Sequence, residues 1–334
     1  MLKVVSQETV LLDERAPDDI AVVIPVYMGK TVLRELCERL VATVTKITAS
    51  FSIILVDDRS ADNAWPLICE LGQQDQRIRG IQLSRNFGQH HAVTAGIDHA
   101  VARWYVVMDC DLQDAPEDIP LLYAKASEGF DIVVGTRRKE GHGLIKRFAS
   151  RLFYSAFNLL AGIKLDWSVG NYRIFSNRVA DGFRQMREQM RFFPASLSLM
   201  GFEVSYLPLQ HYSRQEGKSS YTLKKLVRLG MHAILVHSLR PLKIAAALGL
   251  FISALSLLAG FGIAVGALFW GATVTGWPSL IVAVSIIGGI QIFVTGVVGI
   301  YVGKCFEEAK KRPLYFVRDT SNLCLNALSA EEAL

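Results

Sequence analysis

Between Lys243 and Lys304 the chain carries no Asp, Glu, Lys, Arg or His, a gap of 60 residues. So long an absence of charge excludes an ordinary solvated surface and points to a membrane. Within the gap, Ile244 to Trp270 is one apolar run and Leu280 to Val302 is another. A helix of ~20 residues, rising ~1.5 Å per residue, crosses the ~30 Å hydrocarbon layer. The turn-forming segment Gly271 to Ser279 separates the runs, with Trp270 and Trp277 placed for the interface. The alternative, a helical hairpin buried in a soluble core, fits less well, because few such cores hold two uncharged helices of this length.

Cysteine is scarce. The five (Cys37, Cys69, Cys110, Cys305, Cys324) have no paired spacing, which excludes a disulfide framework and a cysteine zinc site and leaves reduced thiols. Excess charge is lacking too: a net +5 over 334 residues is too small to point to nucleic acid. No internal repeat or low-complexity tract occurs, and the first twenty residues are polar and acidic, unlike a signal peptide. The basic residues gather beside the apolar gap instead. Lys224, Lys225, Arg228, Arg240 and Lys243 precede it; Lys304, Lys310, Lys311 and Arg312 follow it. Positive flanks stay in the cytoplasm, so a multi-pass protein of the inner (cytoplasmic) membrane is expected, with both termini and all residues before 240 cytoplasmic.

What is present begins at Asp19, where short apolar runs alternate with helical stretches. Strands are expected at Ala21–Tyr27, Phe51–Val56, Ile78–Leu83, Trp104–Met108 and Ile132–Gly135. Helices are expected near Val32–Thr45, Asp62–Gln74, His90–His99 and Glu117–Glu128. Near-continuous apolar strands between helices imply an α/β fold with a mostly parallel sheet covered on both faces. Ligands of such sheets bind beyond the carboxyl ends of the strands. Two acidic clusters, Asp57-Asp58 and Asp109-Cys110-Asp111, stand at those ends. Two carboxylates one residue apart can ligate a hard cation, Mg²⁺ or Mn²⁺, together with phosphate oxygens and waters. The competing reading is an acidic loop that caps a helix, with Asp114 as N-cap and Pro116 in the first turn. His90 and His91, beside a helix start, read as capping or packing residues. The segments 144–160 and 221–239 mix basic and apolar residues and suit a membrane interface or a core-facing helix with a solvated basic face.

Four motifs in order, Val23-Ile24-Pro25-Val26-Tyr27, Val56-Asp57-Asp58-Arg59-Ser60, Arg85-Asn86-Phe87-Gly88-Gln89 and Asp109-Cys110-Asp111-Leu112-Gln113-Asp114, resemble those of glycosyltransferase family 2. The likeness is narrower still to the polyprenyl-phosphate glycosyltransferases. It runs on through Arg214 to Tyr221, the paired apolar runs and Gly299-Ile300-Tyr301-Val302-Gly303, covering roughly residues 20 to 318. The resemblance implies a GT-A nucleotide-binding fold, an inverting mechanism, a nucleotide-sugar donor (UDP-glucose as the first guess) and a polyprenyl (undecaprenyl) phosphate acceptor. It implies that Pro25, Tyr27, Asp57 and Asp58 contact the nucleotide and that Asp109, Asp111 and Gln113 hold the metal and diphosphate. Arg137, Arg138, Lys146, Arg147 and Arg151 would face phosphates, Arg147 and Arg151 at the reacting centre, with Arg214 and Lys218 on a closing loop.

The corresponding division of the chain is a polar tail over 1–18, a catalytic domain over 19–212, a closing loop and interface helix over 213–243, a transmembrane hairpin over 244–303 and a basic tail over 304–334. Self-association is left open. Two departures stand out. Met28-Gly29 replace the Asn-Glu usual after the strand-one tyrosine, and Asn171 replaces the Asp common in the segment Val169 to Arg173. Asn171 cannot act as a base. Either Asp166 does, or none is needed, since a phosphomonoester with a second pKa near ~6 is already largely dianionic at neutral pH. Rival readings are a transferase extending a glycolipid or polysaccharide, and a non-catalytic membrane scaffold that only binds nucleotide.

Overall fold

The computed structural model describes residues 17–137, 169–189, 191–209, 240–270 and 276–323. The described chain forms two compact units, which are treated separately.

In the first unit, β1 (Asp18–Val26), β2 (Phe51–Asp57), β3 (Ile78–Leu83) and β4 (Ala102–Val107) form the parallel centre of an eight-stranded sheet. Beyond them lie β5 (Ile132–Arg137), β6 (Val169–Ser176), β7 (Val204–Leu209) and β8 (Val317–Ser321), in the order β7-β5-β6-β4-β1-β2-β3-β8. Four of the seven pairings are parallel; β6 runs antiparallel to both β4 and β5, and β8 runs antiparallel to β3.

The period-2 alternation of the central strands divides their apolar residues between two cores. Ile20, Val22, Ile24, Ile53 and Leu55 face α1 (Lys30–Val44), α2 (Trp65–Gln74) and α4 (Ile119–Ala126). Ala21, Val23, Ile54 and Val56 face α3 (Gln89–Asp98), α5 (Asn177–Gln185) and α6 (Phe193–Leu199). Leu33, Leu36, Cys37, Leu40 and Val44 give α1 its single buried stripe. Each fully buried Val, Leu or Ile contributes ~1.5–3 kcal/mol of transfer free energy, so these strands hold the site's frame in place. Helix α3 lies unusually close to the sheet: a Cβ at Gly96 would come within 2.3 Å of Val23 Cγ1.

The chain runs β1, β2, β3 in one direction and then crosses through α3 to β4 on the other side of β1. The strand order therefore reverses at the carboxyl ends of β1 and β4, the place where α/β sheets bind ligands. The antiparallel β6 has a consequence for that place. Val107 pairs with Arg173, so counting two residues on brings Asn171 beside Asp109.

The segment 304–334 departs from the expected tail. Residues 317–321 return to the sheet as β8, because their backbone completes the hydrogen bonding of the β3 edge. Ser84 N also donates to Phe316 O, and Asn322 Nδ2 donates to the carbonyls of Gly72 and Ile78.

The second unit contains α7 (Arg240–Trp270) and α8 (Trp277–Ala309), which pack against each other. Helix α8 continues past Val302 to Ala309, and Ile286–Ala309 is the one segment among the described residues long and apolar enough to cross a membrane. Leu250, Phe251, Phe261, Ile292 and Phe293 are exposed on these helices, an apolar surface that water disfavours.

Candidate active site

The carboxyl ends of β1, β2 and β4, together with the start of α3, assemble the candidate site. Asp57 ends β2, and Asp58 follows it; each is only 2% exposed. Asp57 accepts from Ser60 N (2.8 Å) and from Gln82 Nε2 (2.9 Å). Asp58 accepts from Phe87 N (2.7 Å) and Gly88 N (2.8 Å). Gly88, at φ +94°, takes the turn into α3 that a side chain rarely adopts. Asp58 thus places a negative charge at the α3 N-terminus, where the helix dipole favours it. Burial raises the Asp58 carboxyl above its ordinary value, offset in part by those two N–H donors. Of the four nucleotide contacts expected, Asp57 and Asp58 are turned into the protein, Pro25 is buried in β1, and Tyr27 is 52% exposed at the strand end. Met28, one of the two departures, sits at φ +56° and donates from its N–H to Ser60 Oγ (2.6 Å). Lys30 N donates to Asp62 Oδ2 (2.8 Å), so the loop after β2 shapes the turn after β1.

Asp109 and Asp111 follow β4 and are half-buried. Asp109 Oδ1 accepts from Gln89 Nε2 (2.5 Å), at the first turn of α3, and from Asn171 Nδ2 (3.2 Å), on β6. Asp111 Oδ1 accepts from Gln113 N (3.2 Å), closing a tight turn in which Leu112 adopts φ +57°. Cys110 packs inward, and burial pushes its thiol up to about 11, so it stays a neutral packing group. Tyr172 fastens the loop from the other face by donating to Ala115 O (2.8 Å). Ala115 is the N-cap of the 3-10 turn that begins at Pro116, and Asp114 stands one residue before it.

Beneath Asp109 lies Arg173, 3% exposed, which donates to Asn171 O (3.2 Å) and Gly170 O (2.8 Å) and stacks over Phe193 at 5.1 Å. Burial pulls its guanidinium down to about 10, and the charge of Asp109 opposes that shift. Arg173 therefore remains a cation at neutral pH. His90 packs edge-on against Phe192 (5.0 Å), and His91 lies 3.3 Å from Gln189 O; both are packing residues, as the sequence implied.

The sequence by itself assigns no role to Gln89 or Arg173 and reads Asn171 only as a residue that cannot be a base; the one signal for Gln89 is its place at the end of the third motif. Arg137 is the last residue of β5. Arg138, Lys146, Arg147, Arg151, Asp166, Arg214 and Lys218 lie outside the described residues, as do segments 144–160 and 221–239.

Comparison with known proteins agrees with this geometry. The glycosyl transferase family 2 profile matches residues 21–189. A glycosyltransferase of Synechocystis sp. is 34% identical over 90% of this chain and 95% of its own. The bactoprenol glucosyl transferase of Shigella phage SfV is 32% identical over 80% of this chain and 87% of its own. The undecaprenyl-phosphate 4-deoxy-4-formamido-L-arabinose transferase of Shewanella sediminis is 29% identical over 90% of this chain and 92% of its own. A mixed sheet with an acidic loop at its strand-order reversal and matches of this length lead to one conclusion: the chain belongs to glycosyl transferase family 2 and is a glycosyltransferase.

Proposed function

We propose that this glycosyltransferase moves a hexose, with glucose from UDP-glucose as the first candidate, onto undecaprenyl phosphate at the cytoplasmic face of the membrane. The observation that carries the reading is the pair Asp109 and Asp111 at the reversal point of the sheet, with Asp109 oriented by two amide donors. In the reaction, an oxygen of the lipid phosphate forms a bond to the anomeric carbon while the bond from that carbon to the UDP diphosphate breaks. Attack from the face opposite the leaving group gives inversion. No proton need be removed from a phosphate dianion, which accords with Asn171, an amide that cannot act as a base.

The residues present fit a divalent metal. No group of three or more His, Cys, Asp or Glu among the described residues would hold one alone. Mg²⁺, however, needs only one or two carboxylates, with substrate phosphates and waters completing its shell. Asp109 and Asp111, with Gln113, are the residues that would hold Mg²⁺ or Mn²⁺. Bound there, the cation would offset charge developing on the diphosphate. Tyr27 offers its exposed ring to the nucleotide, while Asp57 and Asp58 act by fixing the loops around it. Arg137, Arg138, Lys146, Arg147, Arg151, Arg214 and Lys218 would meet the phosphates of donor and lipid, a task that guanidinium groups perform by bidentate contact.

The return of the chain to its own sheet supports a membrane hairpin. Because β7 and β8 share one sheet, the chain between residues 209 and 317 must cross a membrane an even number of times. One crossing at Ile286–Ala309 thus calls for a second, and α7 is the helix that precedes it. The positive flanks then set the catalytic unit in the cytoplasm.

The test is incubation of the full-length protein with Mg²⁺ or Mn²⁺, labelled UDP-sugars and undecaprenyl phosphate, followed by organic extraction. Label in a lipid product whose mass has increased by one hexose is expected with one donor of the panel. Absence of labelled lipid with every donor would refute the reading, and label confined to a polymer would move the acceptor to a growing glycan.

A further inference from the structure

Asn171 and Gln89 converge on a single atom, Asp109 Oδ1, from opposite sides of the sheet's reversal point. Asn171 arrives from β6 and Gln89 from the first turn of α3. Neither element is free to drift. On β6, residues 171 and 173 share one face by strand alternation. The enclosed Arg173 side chain grips the backbone carbonyls of Gly170 and Asn171. Tyr172, on the opposite face, ties the same strand to Ala115. On α3, Asp58 holds the N–H groups of Phe87 and Gly88 immediately before Gln89, and Gly96 lets the helix seat against Val23.

We propose that Asn171 and Gln89 are positioning residues that clamp the Asp109 carboxylate in its metal-holding orientation. The inference rests on the metal role proposed for Asp109. Two fixed N–H donors on one oxygen aim the carboxylate, and neither amide adds or removes charge. An amide at position 171 orients its neighbour without competing with it for the cation, which a carboxylate there would do. A base is not the function of position 171 in this chain; holding Asp109 is.

The experiment measures Mn²⁺ binding to the full-length protein in detergent with saturating UDP, by the electron spin resonance of free Mn²⁺. It compares wild type, Gln89→Ala, Asn171→Leu and the double variant. Gln89 is exposed, so its variant keeps the fold, and melting curves check all of them. Hydrogen bonds to a charged group are among the stronger ones, so each single variant should weaken Mn²⁺ binding about tenfold. The double variant should lose less than the product of the two, because both donors serve one atom. Asn171→Ser, which keeps a shorter donor, should recover part of the loss. In transfer assays kcat should fall with little change in KM for the lipid. Mn²⁺ affinity unchanged within twofold in well-folded Gln89→Ala and Asn171→Leu proteins would overturn the clamp alone. A wild-type protein that binds no Mn²⁺ would overturn the metal reading and the clamp together.

Discussion

Asp98, the last residue of α3, is 3% exposed, and a carboxylate at a helix C-terminus is disfavoured unless it is neutralised. Arg187 meets it with two bonds, Nη1 to Oδ2 at 2.7 Å and Nη2 to Oδ1 at 3.1 Å. Tyr315 donates to Oδ2 at 2.9 Å from the segment that leads into β8. Burial, and then the Asp98 charge, raise the Tyr315 hydroxyl well above its ordinary value, so it remains a donor at any physiological pH. Asp98→Ala leaves a guanidinium without its counter-charge and a buried hydroxyl without an acceptor. Breaking a buried pair costs ~3–5 kcal/mol. Arg187 retains 23% side-chain exposure, so water recovers part of this and the lower figure applies. The orphaned hydroxyl adds ~1 kcal/mol, for a total of about 4. For a domain of this size each kcal/mol shifts Tm by ~2–4 °C, so the variant should melt about 8–16 °C lower. Tyr315→Phe removes one hydrogen bond and should cost about 1 kcal/mol. Tryptophan fluorescence melts of the detergent-solubilised protein measure both. Equal shifts for the two variants, or a shift under about 1 °C for Asp98→Ala, would refute the reasoning.

Three further outcomes follow from the same structure. Gly96→Ala should lose ~1–3 kcal/mol, because its Cβ must displace the Val23 side chain from 2.3 Å; Val23→Ala in the same chain should restore part of it, read by the same melts. Deleting residues 312–334 should abolish transfer and soluble folding of the catalytic unit, since it removes β8 and Tyr315; an active truncated enzyme would show that this edge is dispensable. Stability should also fall with acid. Burial first, then neighbouring positive charges, pull His90 down to about 4, and burial lowers His91 and His99 as well. An unfolded chain takes up these protons near pH ~6.5. Stability is therefore full above that pH and declines as pH drops toward 4. Asp58 and Asp118, whose carboxyls burial raises, work in the opposite direction, while Asp75 and Glu117, lowered by hydrogen bonds from Arg77 and Arg39, act with the histidines. Melting temperatures from pH 7.5 to about 4.5 check the slope, which His90→Asn should flatten.

The central strands were legible because burial on both faces requires unbroken apolar runs, and Asp57 and Asp109 mark their ends by ending those runs. Strands β6, β7 and β8 were not. Tyr172, whose partner Ala115 lies far back along the chain, and the charged Arg173 interrupt the apolar pattern of β6, Pro208 interrupts β7, and Val-Arg-Asp-Thr-Ser reads as a solvated tail until β3 is there to pair with it. The same limit applied at the site. The sequence shows that Asn171 is no base, yet its contact with Asp109 depends on an antiparallel register that no local pattern encodes.

The most direct test of the central claim is the transfer rate of Asp109→Ala and Asp111→Ala beside wild type, with one labelled donor, saturating metal and undecaprenyl phosphate. Both variants should melt within about 2 °C of wild type, because both carboxylates sit at the solvent-facing end of the sheet. Both should lose labelled lipid by at least ~10²-fold, the usual consequence of deleting a group that stabilises developing charge. Wild-type turnover in either well-folded variant would contradict the account.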